Sequence, residues 1–262
     1  MAQNFRHSEI LTIARETGKV TVEGLAAKFN VTAQTIRRDL TELCDIGQLT
    51  RVHGGAMIPS GVIALGYEDR RSLASAEKDA MARLVAEQIP DGVSIFLNVG
   101  TTTEAVARAL LKHRNLMVVT NNMNSANILA ENPDCQVILT GGTLRRSDGG
   151  LTGPLTEAAI RQFKVDIAVI GCSALDGDGD MLDYDIHEVG VSRALIAQAR
   201  KAWLVVDHSK LGRTAPARID SLAVLDSLFT DRPLPDRLRT ACEAWSTRVV
   251  TCAVAESDPD RA

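Results

Sequence analysis

No stretch of this 262-residue chain approaches the roughly 18 consecutive apolar residues of a membrane-spanning helix. Its first residues also lack the basic, apolar and small-residue succession of a secretory leader. Neither membrane insertion nor export is expected. Cysteine is sparse and unpatterned: Cys44, Cys135, Cys172, Cys242 and Cys252 form no Cys-x-x-Cys and suggest no pairing. A reduced cytoplasmic setting, with each cysteine acting as a small apolar residue, accounts for them. Histidine is scarce as well, at five residues. His187, Glu188 and His208 lack the tight spacing of a metal site, so neither metal nor cofactor is expected. Positive charge is not in excess, with 29 Lys and Arg against 33 Asp and Glu. That argues against a protein that coats nucleic acid. Residues 1–60 hold seven basic and six acidic residues, leaving the acidic surplus in the remainder. A nearly neutral front on an acidic body suits a few well-placed contacts rather than a basic carpet. Internal repeats and low-complexity tracts are absent too.

Against these absences, residues 32–43 stand out: Thr-Ala-Gln-Thr-Ile-Arg-Arg-Asp-Leu-Thr-Glu-Leu. Thr32 is suited to cap a helix whose Ile36, Leu40 and Leu43 make one buried stripe. Ala33, Gln34, Thr35, Arg37 and Arg38 are left on the outer face and the first turns. Gln pairs well with adenine, Arg with guanine or phosphate, and small methyls with thymine. The spacing predicts further helices over 5–16, ended by Gly18, and over 22–29, with Asn30-Val31 turning into the helix at Thr32. Two short helices joined by a tight turn are the helix-turn-helix pattern. Residues 48–53 and 54–56 read as a hairpin wing, placing Arg51 and His53 against sugar–phosphate. Residues 1–57 are thus expected to form a winged helix-turn-helix that binds double-stranded operator DNA, with salt-dependent affinity.

Residues 58–75 read as a linker and the start of a connecting helix, which runs over 68–89. From 76 to 252 the pattern alternates strand and helix. Strands are expected at 93–97, 116–120, 136–140, 165–170 and 203–206, with weaker ones near 222–225 and 247–252. Helices are expected at 102–112, 125–130, 154–162, 188–199 and 236–244. Short continuous apolar strands separated by helices predict an α/β domain with a parallel sheet covered on both faces. Residues 253–262 are expected to be a disordered tail.

Ligands of such sheets sit beyond the carboxyl ends of the strands. Polar, glycine-rich segments recur at those positions: Asn98-Val-Gly100-Thr101-Thr102-Thr103, Asn121-Asn122, Gly141-Gly142-Thr-Leu-Arg-Arg146, Gly171-Cys-Ser173 and Asp207-His-Ser-Lys210. Gly100 followed by three hydroxyls at a helix start favours a phosphate. Their convergence predicts a pocket for a small phosphorylated molecule, with His187 and Glu188 bonding its hydroxyls. Other chemistries fail. Asp176-Gly-Asp-Gly-Asp180 begins like a calcium loop but lacks the glycine and closing glutamate. Gly171-Cys-Ser-Ala-Leu175 lacks the second glycine of a nucleophile elbow. The Gly100 loop has no Gly-Lys-Ser/Thr ending.

Thr35-Ile-Arg-Arg-Asp-Leu40, Arg51-Val-His-Gly-Gly-Ala56, Gly100-Thr-Thr102, Thr120-Asn-Asn122, Gly141-Gly142 and Asp207-His-Ser-Lys-Leu-Gly212 together resemble the DeoR family of bacterial repressors. The resemblance spans about residues 5–252. Phe5-Arg-His7, Ala86-Glu-Gln-Ile-Pro90, Gly149-Gly150 and His187-Glu-Val189 extend it to members that govern glycerol metabolism. It implies a sensor domain similar to sugar-phosphate isomerases and a phosphate seat at Gly100–Thr103. It also implies ligand contacts from Asn121, Gly141, Gly142 and Lys210, a homo-oligomer, and release from DNA by a phosphorylated effector, glycerol 3-phosphate being the first choice and another sugar phosphate the alternative. Gly190-Val-Ser192 departs from the more basic residues of enterobacterial members. The isomerase alternative needs an acid-rich Asp-Gly-Ala-Asp loop, where this chain has Gly171-Cys-Ser-Ala-Leu-Asp176. No catalysis is expected.

Overall fold

A computed structural model describes residues 2–17, 19–45, 48–52, 54–57 and 67–252. Gly18, His53, the connecting residues 58–66 and the tail 253–262 lie outside the described residues, and with them the helix breaker, one wing contact, most of the linker and the disordered end anticipated above. The chain divides into two compact units, residues 1–63 and 64–262.

In the first unit, α1 (Ala2–Thr17), β1 (Lys19–Thr21), α2 (Val22–Phe29) and α3 (Ala33–Asp45) precede β2 (Thr50–Val52) and β3 (Gly55–Met57). The anticipated hairpin gains a third strand, in the order β1-β3-β2. Asn30 adopts φ 51° and makes the tight turn between α2 and α3. Its short polar side chain tolerates that left-handed conformation. Ile36, Leu40 and Leu43 are sealed against Ile10, Ala14 and Leu25 in a single small core. Truncating one of them to alanine would cost about 2–5 kcal/mol.

The second unit begins with α4 (Tyr67–Ser72) and α5 (Ser75–Gln88). The single helix anticipated over 68–89 is broken at Ala74, which takes φ 51°. The main series is β4 (Ser94–Leu97), α6 (Thr101–Ala109), β5 (Leu116–Thr120), α7 (Met123–Leu129) and β6 (Cys135–Leu139). It continues with β7 (Thr143–Arg145), β8 (Gly150–Thr152), α8 (Pro154–Ile160) and β9 (Val165–Ile170). Then follow β10 (Ala174–Leu175), β11 (Asp180–Asp183), α9 (Ile186–Ala197), β12 (Ala199–Val205) and β13 (Ala217–Ser221). β14 (Ser227–Thr230), α10 (Asp236–Trp245) and β15 (Arg248–Thr251) complete it. The weak strand anticipated at 222–225 is a 3-10 turn over Leu222–Val224; the strand lies two residues later.

Seven strands form a wholly parallel sheet in the order β15-β14-β12-β9-β4-β5-β6. Alternation along each strand feeds two cores. Phe96, Ala168, Ile170 and Leu204 face one; Ile95, Leu97, Val169 and Val205 face the other. A hairpin, β7-β8, and a small antiparallel sheet, β10-β11-β13, stand apart from the main sheet. Going outward from β4, the chain runs to β5 and β6 on one side and returns as β9 on the other. The direction therefore reverses between β4 and β9. A crevice opens beyond the carboxyl ends of strands at such a point.

Candidate effector pocket and DNA-reading helix

Asn98 follows β4 and Gly171 follows β9, and both line a cavity of about 260 Å3 at this reversal. That is slightly below the roughly 300–1,000 Å3 of pockets for drug-sized ligands, a scale suited to a small metabolite. Asn98 is buried; its amide group donates to the Ser192 hydroxyl at 2.9 Å and its carbonyl accepts the Val99 amide at 2.7 Å. The backbone is thereby turned sharply into Gly100, whose φ of 147° favours glycine. Helix α6 starts immediately after, and the amides of its first turn have no carbonyl partner within the helix. Thr101 and Thr103 use their hydroxyls to fix the turn, bonding the Arg70 carbonyl at 3.2 Å and the Gly100 carbonyl at 2.8 Å. Thr102 lines the cavity beside them.

Lys210 enters from the 3-10 turn after β12, a turn capped by Asp207, which accepts the Ser209 amide at 2.9 Å. Among the described residues its ammonium has no hydrogen-bond or ion-pair partner. Burial lowers its pKa to about 8; Asp207 pulls it up, and Arg213 and Arg70 push it further down. It still carries a proton at neutral pH and is available to an anion. A positive helix end and an ammonium unpaired among the described residues, on one small cavity, have the chemistry of a candidate anion seat.

A chain of ion pairs also lines the cavity. Arg70 donates to Asp148 at 3.1 Å, and Arg145 grips the same carboxylate at 2.8 and 3.0 Å. Arg145 also reaches Asp185 at 2.8 Å and Glu188 at 3.3 Å. Burial pushes the Glu188 carboxyl up to about 8; Arg145 opposes this, while Asp183, Asp148 and Asp185 reinforce it. Tyr67, on α4, donates to Glu104 at 2.7 Å, and burial followed by that carboxylate raises its phenol to about 12.

Of the effector-contact residues expected from sequence, Asn98, Gly100, Thr101, Thr102, Thr103, Glu188 and Lys210 line this cavity. Four others do not. Asn121 is fully buried and donates to the Leu151 carbonyl at 3.1 Å, tying β8 to the end of β5. Gly141 accepts the Thr156 hydroxyl at 2.7 Å, and Gly142 is packed so closely that an added Cβ would sit 2.0 Å from that same oxygen. Both glycines shape the entry to the β7-β8 hairpin. His187 is exposed at the start of α9, where its amide caps onto Asp185 at 2.9 Å. Sequence reasoning missed Arg70, Asp148, Asp183 and Asp185 on the cavity wall. Asp183 and Asp185 lie within a few positions of Glu188, a signal that was there to read; Asp148, between β7 and β8, and Arg70, on a helix far upstream, give none.

In the first unit, Thr32 accepts the Thr35 amide at 3.2 Å, the cap expected for α3. Gln34, Arg37 and Arg38 are exposed, Ala33 and Thr35 half-buried on the leading turn, and Arg51 is exposed on β2. The Arg51 guanidinium comes within 3.5 Å of the Arg37 carbonyl, which brings wing and helix together on one face. Asp39, in the same helix, is turned inward and buried. Arg6 grips it, one bond being 3.0 Å, and His7 lies 3.3 Å away. Burial alone would raise the Asp39 carboxyl, but Arg6 and then His7 outweigh it and hold it below the usual carboxylate range. That clamp fixes the pitch of α3 on α1.

Comparison with known proteins agrees with both units. Residues 6–62 match the DeoR-like helix-turn-helix domain and residues 73–232 the DeoR C terminal sensor domain. The chain is 46% identical over 235 residues to the glycerol-3-phosphate regulon repressor of Escherichia coli (strain K12), covering 90% of this chain and 93% of that one. To the repressor of the same name from Haemophilus influenzae it is 42% identical over 252 residues, covering 96% and 98%. Among solved structures, a D-ribose-5-phosphate isomerase in complex with phospho-erythronic acid aligns at 17% identity and a TM-score of 0.40, covering 52% of this chain and 54% of that one. With a capped, arginine-bearing reading helix in one unit and a sensor body in the other, the chain belongs to the DeoR family, as a DNA-binding transcriptional repressor with an effector-sensing domain.

Proposed function

We propose that this repressor controls genes of glycerol metabolism and leaves its operator when glycerol 3-phosphate occupies the cavity between β4 and β9. One observation carries the reading: the first-turn amides of α6 and the ammonium of Lys210, unpartnered among the described residues, meet on one small crevice. The chain that carries them is 46% identical to a glycerol-3-phosphate regulon repressor. In this account Gly100, Thr101, Thr102 and Thr103 receive the phosphate with Lys210, Asn98 sets the backbone that presents them, and Glu188 takes the hydroxyls. At the head, Ala33, Gln34 and Thr35 read base edges, Arg37 and Arg38 contact bases and phosphates, and Arg51 and His53 steady the backbone from the wing.

The body binds without turnover. Gly171-Cys172-Ser173 puts no carboxylate at the end of β9, so the acid that an isomerase would use to take a carbon-bound proton is not supplied there. The working form is a homo-oligomer in the cytoplasm. Leu144, Leu155 and Ile186 are exposed on β7, α8 and α9, with Leu139 exposed at the end of β6; such apolar side chains suit contact with a second copy. Release follows from linkage: an effector lowers operator affinity only by binding the DNA-free state better, with typical couplings of ~1–3 kcal/mol. Operator retardation with a panel of sugar phosphates tests this. Glycerol 3-phosphate should shift the DNA-binding curve; if none of the panel does, the effector assignment fails.

A further inference from the structure

Two residues that line the cavity each hold a buried polar atom without a hydrogen-bond partner among the described residues: Nε of Arg70 and Oε1 of Glu188. They lie at the two ends of one chain of ion pairs. Arg70 holds Asp148 at 3.1 Å, Asp148 holds Arg145 at 2.8 and 3.0 Å, and Arg145 reaches Glu188 at 3.3 Å. An orphaned buried donor or acceptor bears its whole desolvation penalty, more when charged. Here both ends of a continuous network carry one, and both residues line the same cavity. Glu188 itself is 4% exposed, so bulk solvent does not satisfy it. A ligand that brought an acceptor to the Arg70 end and a hydroxyl to the Glu188 end would satisfy both.

We infer that Arg70 is a direct ligand of the effector's phosphate, and that Glu188 is the residue requiring a hydroxyl on the same molecule. The inference rests on the effector reading above and assigns its specificity. Arg70 adds a guanidinium to a seat otherwise made of α6 amides and Lys210, and a fork of donors matches phosphate oxygens. Arg145 is not the phosphate ligand, because Asp148, Asp185 and Glu188 already surround it. The cavity wall carries Asp148, Asp183, Asp185 and Asp207 against Arg70, Arg145 and Lys210. Such a balance rejects an anion unless it is seated at the cationic end and offers hydroxyls to the acidic one. Inorganic phosphate meets the first requirement alone, glycerol the second alone, and a hydroxylated phosphate ester both.

The test is calorimetric titration of the full-length protein with glycerol 3-phosphate, inorganic phosphate and glycerol. Arg70→Gln should weaken glycerol 3-phosphate and inorganic phosphate alike, by tenfold or more. Glu188→Ala, which leaves Arg145 its two aspartates, should weaken glycerol 3-phosphate by a similar factor and leave inorganic phosphate unchanged. If wild type binds glycerol 3-phosphate and Arg70→Gln binds it equally well, the assignment of Arg70 is overturned while the effector reading stands. Equal losses for both ligands in Glu188→Ala overturn the hydroxyl assignment. Absence of binding in wild type overturns the effector reading itself. A measurement on unaltered protein guards against a variant that does not fold. The arginine Nε–H resonance missing from Arg70→Lys identifies Arg70, and in wild type it should move on saturation with glycerol 3-phosphate. An unmoved resonance under saturation contradicts the proposal.

Discussion

Replacing Lys210 by Met should make the repressor more stable and unresponsive at once. Lys210 is half-buried with no partner among the described residues, and burial takes its pKa from 10.5 to about 8. Between those values the unfolded chain binds a proton that the folded chain has given up, so stability rises with pH across that interval. Below about 8 the folded protein carries the full penalty of an ammonium held on the cavity wall; above 10.5 the penalty is gone. At 1.36 kcal/mol per unit the ceiling is about 3 kcal/mol, and partial exposure reduces it to about 1–2 kcal/mol. Methionine keeps the packing of the stem, so Tm at pH 7 should rise by roughly 2–8 °C. The same change removes a charged hydrogen bond to phosphate, worth about 1.5–3 kcal/mol, or on the order of ten- to a hundredfold in effector affinity. Scanning calorimetry at pH 7 and 10.5, paired with titration of glycerol 3-phosphate, reads both effects. A variant less stable than wild type at pH 7, or one that binds effector unchanged, would refute the reasoning.

Other perturbations separate reading, folding and sensing. Arg37→Ala with Arg38→Ala should abolish operator binding while calorimetry shows effector affinity intact; at low salt, the residual slope of affinity against salt should fall by about two. Arg6→Ala strips Asp39 of its main partner and should destabilise the head by about 1–3 kcal/mol in thermal unfolding. Because Asp39 is held below its ordinary value, the stability it contributes is present above the carboxylate range and is lost as pH falls through the lowered value. The acid limb of head unfolding should therefore flatten in Arg6→Ala. Gly142→Ala meets Thr156 and the Thr152 carbonyl at 2.0 and 2.8 Å, so it should lower Tm of the body. Effector affinity at a temperature where the body stays folded should be little changed.

Much of the fold was legible because apolar periodicity maps directly onto burial. Ile36, Leu40 and Leu43 announce α3, and the runs ending at Leu97, Thr120 and Ile170 announce three strands of the sheet. Ala74 was not legible, since Leu73-Ala74-Ser75 contains no breaker and the helical rhythm runs through it. The early start of β12 was hidden by Arg200 and Lys201, which are exposed and polar. Strands of two to five residues, such as β10, β11 and β13, are too short for alternation to show. At the pocket, position at a strand end predicted Asn98 and Gly100, because topology alone brings strand ends together. The same rule put Asn121 there, yet its side chain turns toward Leu151 to hold β8. Rules about strand ends do not fix where a side chain points. Arg70 was invisible for a different reason: it reaches the cavity from a helix upstream of the first strand of the sheet.

Under the proposed function, effector and operator compete through one protein, and that competition must be reciprocal. Glycerol 3-phosphate affinity would be measured by titration with the protein free and with it saturated by operator DNA. The account predicts weaker effector binding on the DNA-bound form, by the same factor, roughly 5–150-fold, by which effector weakens operator binding. Equal effector affinity in the two forms would contradict it.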